Sequence, residues 1–305
     1  MAIVTGANSG VGYETAIGLA KAGFQVIMAC RTITRGNAAR DKILAGQRDA
    51  QLEVSELDLS RFASVRVFAE RFRAAHDRLD ILVNNAGVLD YSGRRNEDGL
   101  ELQLVTNHLG HFLLTSLLLD RMPDTSESRV VSLSSIAHKR GRIAFDDLNC
   151  ENPPRRGFAY AQSKVAGLVF SDELDRRLRR AGRKLLSVCA HPGVTASGLF
   201  GDLSRLQQFA FKLLAPLLTH SNADSARPTL YAALEADVQG GEYFGPQGFL
   251  DLKGPPGRAK RTRYSQDPEV AVRLWAASED LIGEPFVVAP MSPGGQSDEK
   301  ISARD

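Results

Sequence analysis

Tyr160 and Lys164 stand four positions apart in the run Tyr160-Ala161-Gln162-Ser163-Lys164, so on a helix a phenol and an ammonium share one face. A free phenol titrates near ~10 and moves protons poorly at neutral pH. A cation ~5 Å away, in an effective dielectric of ~20, favours the phenolate by ~3 kcal/mol, and a second positive charge would add to this. The chemistry on offer is general acid/base catalysis. The same spacing also occurs on ordinary amphipathic helix surfaces, so the pair takes its meaning from the residues around it.

At the start of the chain, Ile3-Val4-Thr5 reads as a short buried strand, followed by Gly6, Gly10 and Gly12 and a helical run from Tyr13 to Ala22. Glycines let the backbone turn sharply and bring a pyrophosphate to the amides of a helix N-terminus, where the helix dipole favours negative charge. The order T-G-x-x-x-G-x-G differs from the common G-x-G-x-x-G fingerprint. Taken with Asn84-Asn85-Ala86-Gly87, Asn107, Ser134-Ser135, Tyr160, Lys164 and Pro192-Gly193, it resembles the short-chain dehydrogenase/reductase family. The resemblance runs motif by motif through residues 2–193 and more loosely to about residue 283.

That resemblance implies roles for individual residues. Tyr160 would be the general acid/base, Lys164 would support it and hold the nicotinamide ribose, and Ser135 would hydrogen-bond the reacting oxygen. Asn107 would sit at a helix break and carry a water that relays protons to Lys164. Gly6, Asn8, Ser9, Gly10, Val11 and Gly12 would form the cofactor turn, Asp58 and Leu59 would lie against the adenine, and Asn84, Ala86 and Gly87 would line the cofactor. Pro192, Gly193, Val194 and Ser197 would approach the nicotinamide carboxamide, Ser197 standing where threonine is commoner in the family. Ser134 adjoins Ser135, and strand alternation points the two hydroxyls to opposite sides.

Stepping outward, apolar runs of strand length alternate with helical patterns. Strands are expected at Gln25–Ala29, Leu52–Leu57, Asp80–Val83, Arg129–Leu133 and Lys184–Ala190, and helices at Thr34–Leu44, Arg61–Ala75, Gly99–Arg121 and Phe158–Ala181. Such alternation implies an α/β fold: a single Rossmann-type, doubly wound parallel sheet with helices on both faces and ligands at the C-terminal strand ends. The expected organisation is one catalytic domain over residues 1–286, with a substrate lid near 194–226 and a flexible tail over 287–305 that is rich in proline and glycine.

Which dinucleotide binds depends on the residues after the second strand. An acid there bonds the free ribose hydroxyls of NAD, whereas an arginine pairs with the extra phosphate of NADP. Ala29-Cys30-Arg31-Thr32 offers no acid, so Arg31 favours NADP(H). A solvated surface arginine is the plain alternative for Arg31, as a helix cap, which Ser60 could provide equally well, is for Asp58.

Composition excludes several other classes. The 305 residues carry a formal net charge of +2, which argues for neither a nucleic-acid nor a membrane partner. No segment approaches the ~20 apolar residues that span a bilayer, and Met1 stands two residues from the first strand, which leaves no room for a signal peptide. Cys30, Cys150 and Cys189 are odd in number and far apart, which suits a reducing cytoplasmic location better than a disulfide framework. His108 and His111 lack a third ligand at metal-binding spacing, so no metal is expected. Lys253, Arg258, Lys260, Arg261 and Arg263 read as a solvated basic loop. The expected partner is a small carbonyl or alcohol substrate, and assembly into a homo-oligomer is compatible with the sequence.

Ser135 and Tyr160 are 25 positions apart, with Arg142 to Asn149 filling a longer segment than the family usually has. This insert, the run Asn107-His108-Leu109-Gly110-His111-Phe112 and His191-Pro192-Gly193-Val194 resemble the retinol-dehydrogenase-like branch, which also contains WW-domain oxidoreductases. Leu199, Phe200, Leu203, Leu206, Phe209, Phe211, Leu213, Leu214, Leu217 and Leu218 follow at helical spacings. They either cover a hydrophobic substrate or pack on the core, and periodicity does not separate the two. The implied activity is NADP(H)-dependent carbonyl/alcohol interconversion. Reduction of an activated carbon-carbon double bond uses the same tyrosine and is the alternative enzyme reading. A non-catalytic cofactor-binding regulator would be expected to have lost Tyr160, Lys164, Ser135 or Asn107, and all four are present.

Overall fold

The strands form where β-branched and other apolar residues run together. Ala2–Thr5 (β1), Val26–Cys30 (β2), Ile81–Asn84 (β4) and Arg129–Leu133 (β5) are buried along their whole length, as parallel strands covered on both faces must be. With Leu52–Glu56 (β3), Leu186–Ala190 (β6), Tyr243–Pro246 (β7) and Pro256–Arg258 (β8) they make an eight-stranded sheet of order β3-β2-β1-β4-β5-β6-β7-β8. Every neighbouring pair is parallel except β7 with β8. The computed structural model describes residues 1–153, 155–194 and 221–290.

Helices Gly10–Lys21 (α1), Ile33–Gly46 (α2), Phe62–Ala75 (α3), Gly110–Leu118 (α4), Phe158–Arg180 (α5), Asn222–Leu234 (α6) and Pro268–Ile282 (α7) flank the sheet. One face buries Leu19, Met28, Ile43, Val188 and Phe244, and the other Phe68, Phe112, Phe170, Trp275 and Phe286. Phe112 meets Trp275 edge-on at 4.9 Å and Phe286 at 5.1 Å, an arrangement aromatic quadrupoles favour. Local sequence sets α7: Asp267 accepts the Glu269 amide at 2.9 Å, Pro268 opens the helix, and Gly283 closes it at φ +77°.

The expected strands differ from the observed ones by one or two residues at their ends. The single helix expected over Gly99–Arg121 is interrupted. A turn at Leu102–Leu104, whose amide at Leu104 is held by Glu101, leads into a π-helix at Val105–Leu109 before α4 begins. The expected lid and tail fall largely on residues 195–220 and 291–305, outside the described residues. Of the tail's described residues, Val287 is exposed, while Phe286 just before it is core.

Strand order reverses between β1 and β4, and in open α/β sheets this switch point forms the ligand crevice. Thr5 joins the turns that follow these two strands: its hydroxyl accepts the amides of Asn85 and Ala86 at 2.9 Å each, and Asn85 Nδ2 returns a 2.6 Å bond to Thr5 O. Gly12 fits over this stitch only because it lacks a side chain. A Cβ there would lie 2.3 Å from Asn85 Nδ2 and 2.7 Å from Gly6 O. Gly12→Ala is therefore expected to cost ~1–3 kcal/mol in chemical denaturation, through strain and loss of the Asn85 bond. Wild-type stability in this variant would show that the two turns are not held together as described.

Candidate active site

The residues proposed for the cofactor meet at the C-terminal edge of the sheet. Gly6 and Gly10 take φ of +67° and +58°, conformations that glycine adopts without strain. Ser9 caps α1 in extended conformation with no side-chain cap bond, and no acid occupies the first turn. The first amides of α1 thus face the crevice with the positive end of the helix dipole, a cradle that fits a pyrophosphate. Gly87 keeps the floor open, since a Cβ would press to 3.1 Å from Lys164 Nζ and 3.3 Å from Asn107 Oδ1.

Arg31 stands just past β2, exposed and without an ion pair among the described residues. Asp58 is engaged locally: its Oδ1 accepts Ser60 N at 3.0 Å and Ser60 Oγ at 2.6 Å. This closes a turn ahead of α3. Asn84 donates to Thr115 Oγ1 at 3.0 Å behind the sheet, so it supports the crevice floor. Gly193 adopts φ +74°, and Val194 N donates to Leu252 O at 3.0 Å. Ser197 lies outside the described residues.

The acid/base group is assembled from four elements. Helix α5 carries Tyr160 and Lys164 on one face, with Lys164 Nζ 5.8 Å from the Tyr160 ring centre. Lys164 is 6% exposed and donates to Leu133 O at 3.2 Å, at the end of β5. Asn107, in the π-helix, accepts Val88 N at 2.7 Å and donates to Val88 O at 3.0 Å and Ser163 Oγ at 2.9 Å. The two serines divide as strand alternation required: Ser134 Oγ donates to Lys164 O at 2.7 Å, away from the crevice, while Ser135 Oγ accepts Ala137 N at 3.2 Å and its hydroxyl favours the Tyr160 phenolate.

The electrostatics correct one expectation. In the chain alone the Tyr160 phenol is held above its ordinary range, not below it. Burial raises it most, the Ser135 hydroxyl pulls it down, and Tyr91 raises it again. Lys164 is too enclosed to act as a free cation, since burial pushes its ammonium down to about 8 against a weaker upward pull from Cys189.

Several residues contribute through contacts that their sequence positions do not show. Thr5 acts only through the tertiary stitch above. His138 Nδ1 bonds Ser135 O at 2.7 Å, and Tyr243 OH reaches the same nitrogen at 3.3 Å, so β7 braces Ser135. The segment from Arg142 to Asn149 lies along α5: Ala144 N donates to Gln162 Oε1 at 2.8 Å, and Gln162 Nε2 donates to Leu148 O at 2.9 Å. Arg258 and Arg261 of the basic loop are spent on Glu242, Asp237 and Asp172. His108 and His111 are buried, on Ser278 and Thr5 respectively.

A doubly wound sheet with Ser, Tyr, Lys and Asn converging beside a glycine cradle defines a nucleotide-dependent oxidoreductase architecture. The chain belongs to the short chain dehydrogenase family, whose profile matches residues 1–207. It is 40% identical to mouse retinol dehydrogenase 12 over 92% of its length and 85% of that protein. Against human retinol dehydrogenase 13 it is also 40% identical, over 92% of this chain and 84% of the relative. These relatives put it in the retinol-dehydrogenase-like branch. A crystal structure from Mycobacterium paratuberculosis superposes with a TM-score of 0.77 at 40% identity, covering 94% of both chains. A short chain dehydrogenase from Burkholderia cenocepacia in complex with NADP shares the fold, with a TM-score of 0.63 at 22% identity over 79% of this chain and 94% of its own.

Burial of Lys164 generates a stability prediction. Its pKa is about 8 in the folded chain and ~10.4 unfolded, so between these values the unfolded chain binds more protons and stability rises with pH. Below pH ~8 the buried charge costs the fold about 3 kcal/mol. Lys164→Met is expected to be more stable than wild type at pH 7, with the gap closing between pH 8 and 10.5 in denaturant titrations. A gap that does not change with pH would contradict this account.

Proposed function

We propose that the protein interconverts a carbonyl and an alcohol on a hydrophobic small molecule, with NADP(H) as the preferred cofactor. The observation that carries the reading is Tyr160 and Lys164 on one face of α5, with Lys164 Nζ 5.8 Å from the Tyr160 ring centre and Asn107 bonded to Ser163 of the same helix at 2.9 Å. When bound, the cofactor supplies or accepts a hydride. The chain's own residues handle the proton. Tyr160, kept protonated by burial, donates to the carbonyl oxygen as charge develops there, and Ser135 holds the same oxygen with a second hydrogen bond. Lys164, with a pKa about 8, can return a proton toward Tyr160, and Asn107 fixes the backbone at Val88 beside it.

The name of the retinol dehydrogenases points to an apolar alcohol, which supports a hydrophobic substrate here. Exposed, unpaired Arg31 and the absence of an acid after β2 support NADP over NAD. Free Cys30, Cys150 and Cys189 fit a reducing cytoplasmic compartment, and no helix among the described residues is long and apolar enough to cross a membrane. An activated carbon-carbon double bond would use the same proton donor. The convergence of all four residues argues against a non-catalytic regulator.

The test is NADPH oxidation by the purified protein against aldehydes, ketones and enones of increasing hydrophobicity. Tyr160→Phe should lower turnover ~100-fold or more with cofactor binding preserved. Arg31→Ala should weaken NADPH by ~10- to 150-fold and leave NADH nearly unchanged. Undiminished turnover in Tyr160→Phe would overturn the mechanism, and an unchanged cofactor ratio in Arg31→Ala would overturn the NADP preference.

A further inference from the structure

His111 stands one helical turn after Asn107, in the first turn of α4, and is 3% exposed. Its two ring nitrogens face two parts of the site already described: Nε2 lies 2.9 Å from Thr5 Oγ1, and Nδ1 lies 3.3 Å from the backbone carbonyl of Asn107. The Thr5 oxygen already accepts the amides of Asn85 and Ala86, which fills both of its lone pairs. It can therefore meet His111 only as a donor. Were the proton on Nε2, three hydrogens would crowd the Thr5 oxygen, its own proton would turn to Val83 O at 3.3 Å, and Nδ1 would oppose the Asn107 carbonyl lone pair to lone pair. The favourable arrangement is a chain in which Thr5 O–H donates to Nε2 and Nδ1–H donates to Asn107 O.

We propose that His111, neutral and protonated on Nδ1, is a positioning residue that anchors the Asn107 carbonyl and ties it through Thr5 to the cofactor turn. The anchor sits where it is most needed, because the π-helix at Val105–Leu109 departs from regular i to i−4 bonding and such single-turn bulges gather at functional sites. The side chain of Asn107 is also held, on Val88 and Ser163. Burial pushes His111 down to about 3 against the upward pull of the Asn107 carbonyl bond, with the nearby Lys164 and His108 adding to the lowering, so this link does not switch with physiological pH.

The proposal deepens the oxidoreductase reading, in which Asn107 serves the proton path to Lys164, and it has one readout that does not depend on that reading. In protein labelled with ¹⁵N-histidine and free of cofactor, long-range ¹H–¹⁵N correlations should show His111 with a protonated Nδ1 and an unprotonated Nε2 from pH 5 to 9. An Nε2–H tautomer, or a ring that charges in this range, overturns the proposal. The kinetic arm uses two isosteric changes. His111→Asn can place a donor where Nδ1 stood, and His111→Gln can place an acceptor where Nε2 stood. His111→Gln should lose about 10- to 100-fold in kcat, with KM within about twofold and a displaced kcat–pH profile. His111→Asn should retain most of kcat and weaken cofactor binding instead. Equal kcat losses in both variants, tracking only their melting temperatures, would make His111 merely structural and overturn the proposal. Failure of the oxidoreductase reading shows separately, as a wild type that matches Tyr160→Phe, and the tautomer then decides the matter alone.

Discussion

Burying the Lys164 ammonium at the end of β5 is the constraint around which the site is built. A charge removed from water needs a partner or must shed its proton, and here its hydrogen-bond partner is one backbone carbonyl, Leu133 O. The surroundings follow from that placement. Ser134 turns inward to hold the Lys164 carbonyl, which leaves Ser135 to face the crevice. Gly87 lacks a side chain where the ammonium passes. The helix before α4 widens into a π-turn where Asn107 reaches both the Val88 backbone and Ser163 on α5. Burial holds the ammonium well below the ordinary lysine range, at a cost to the stability of the fold.

Most of the sheet was legible in the sequence, for a physical reason. Strands β1, β2, β4 and β5 are buried on both faces and read as unbroken apolar runs, and turns such as Gly6 to Gly12 announce themselves through glycine. The edge was not legible. Strand β7 has four residues that include Gly245 and Pro246, and β8 is Pro256-Gly257-Arg258, so neither shows alternation or a propensity signal. The π-turn was hidden as well, because inserting one residue into a helical repeat shifts its phase without changing its composition. The long helix expected from Gly99 was in fact interrupted and begins only after the Glu101 cap.

The placement of the candidate site was legible at motif positions: Tyr160 and Lys164 share a face of α5, and Asn107 reaches that helix through Ser163. It was not legible where a residue acts through a neighbour distant in sequence. Thr5 meets Asn85 across 80 positions and His111 across 106, and His138 meets Tyr243 across 105. Spacing along one chain does not encode such contacts. The Tyr160 electrostatics belong in the same class. Reasoning from the i, i+4 pair gave the lysine its full charge and the phenol a wet surrounding. The fold instead encloses the lysine and half-buries the phenol, and desolvation is the largest influence on each.

The central claim is that the chain itself keeps Tyr160 as an acid. Its direct test is a pH titration by NMR of ¹³Cζ-tyrosine-labelled protein without cofactor, with Tyr160→Phe to assign the resonance. The account predicts that Tyr160 ionises at a higher pH than free tyrosine, and that Ser135→Ala raises it further by removing the hydroxyl that favours the phenolate. A Tyr160 that ionises below free tyrosine in the chain alone would show that the lysine dominates after all and would contradict the account.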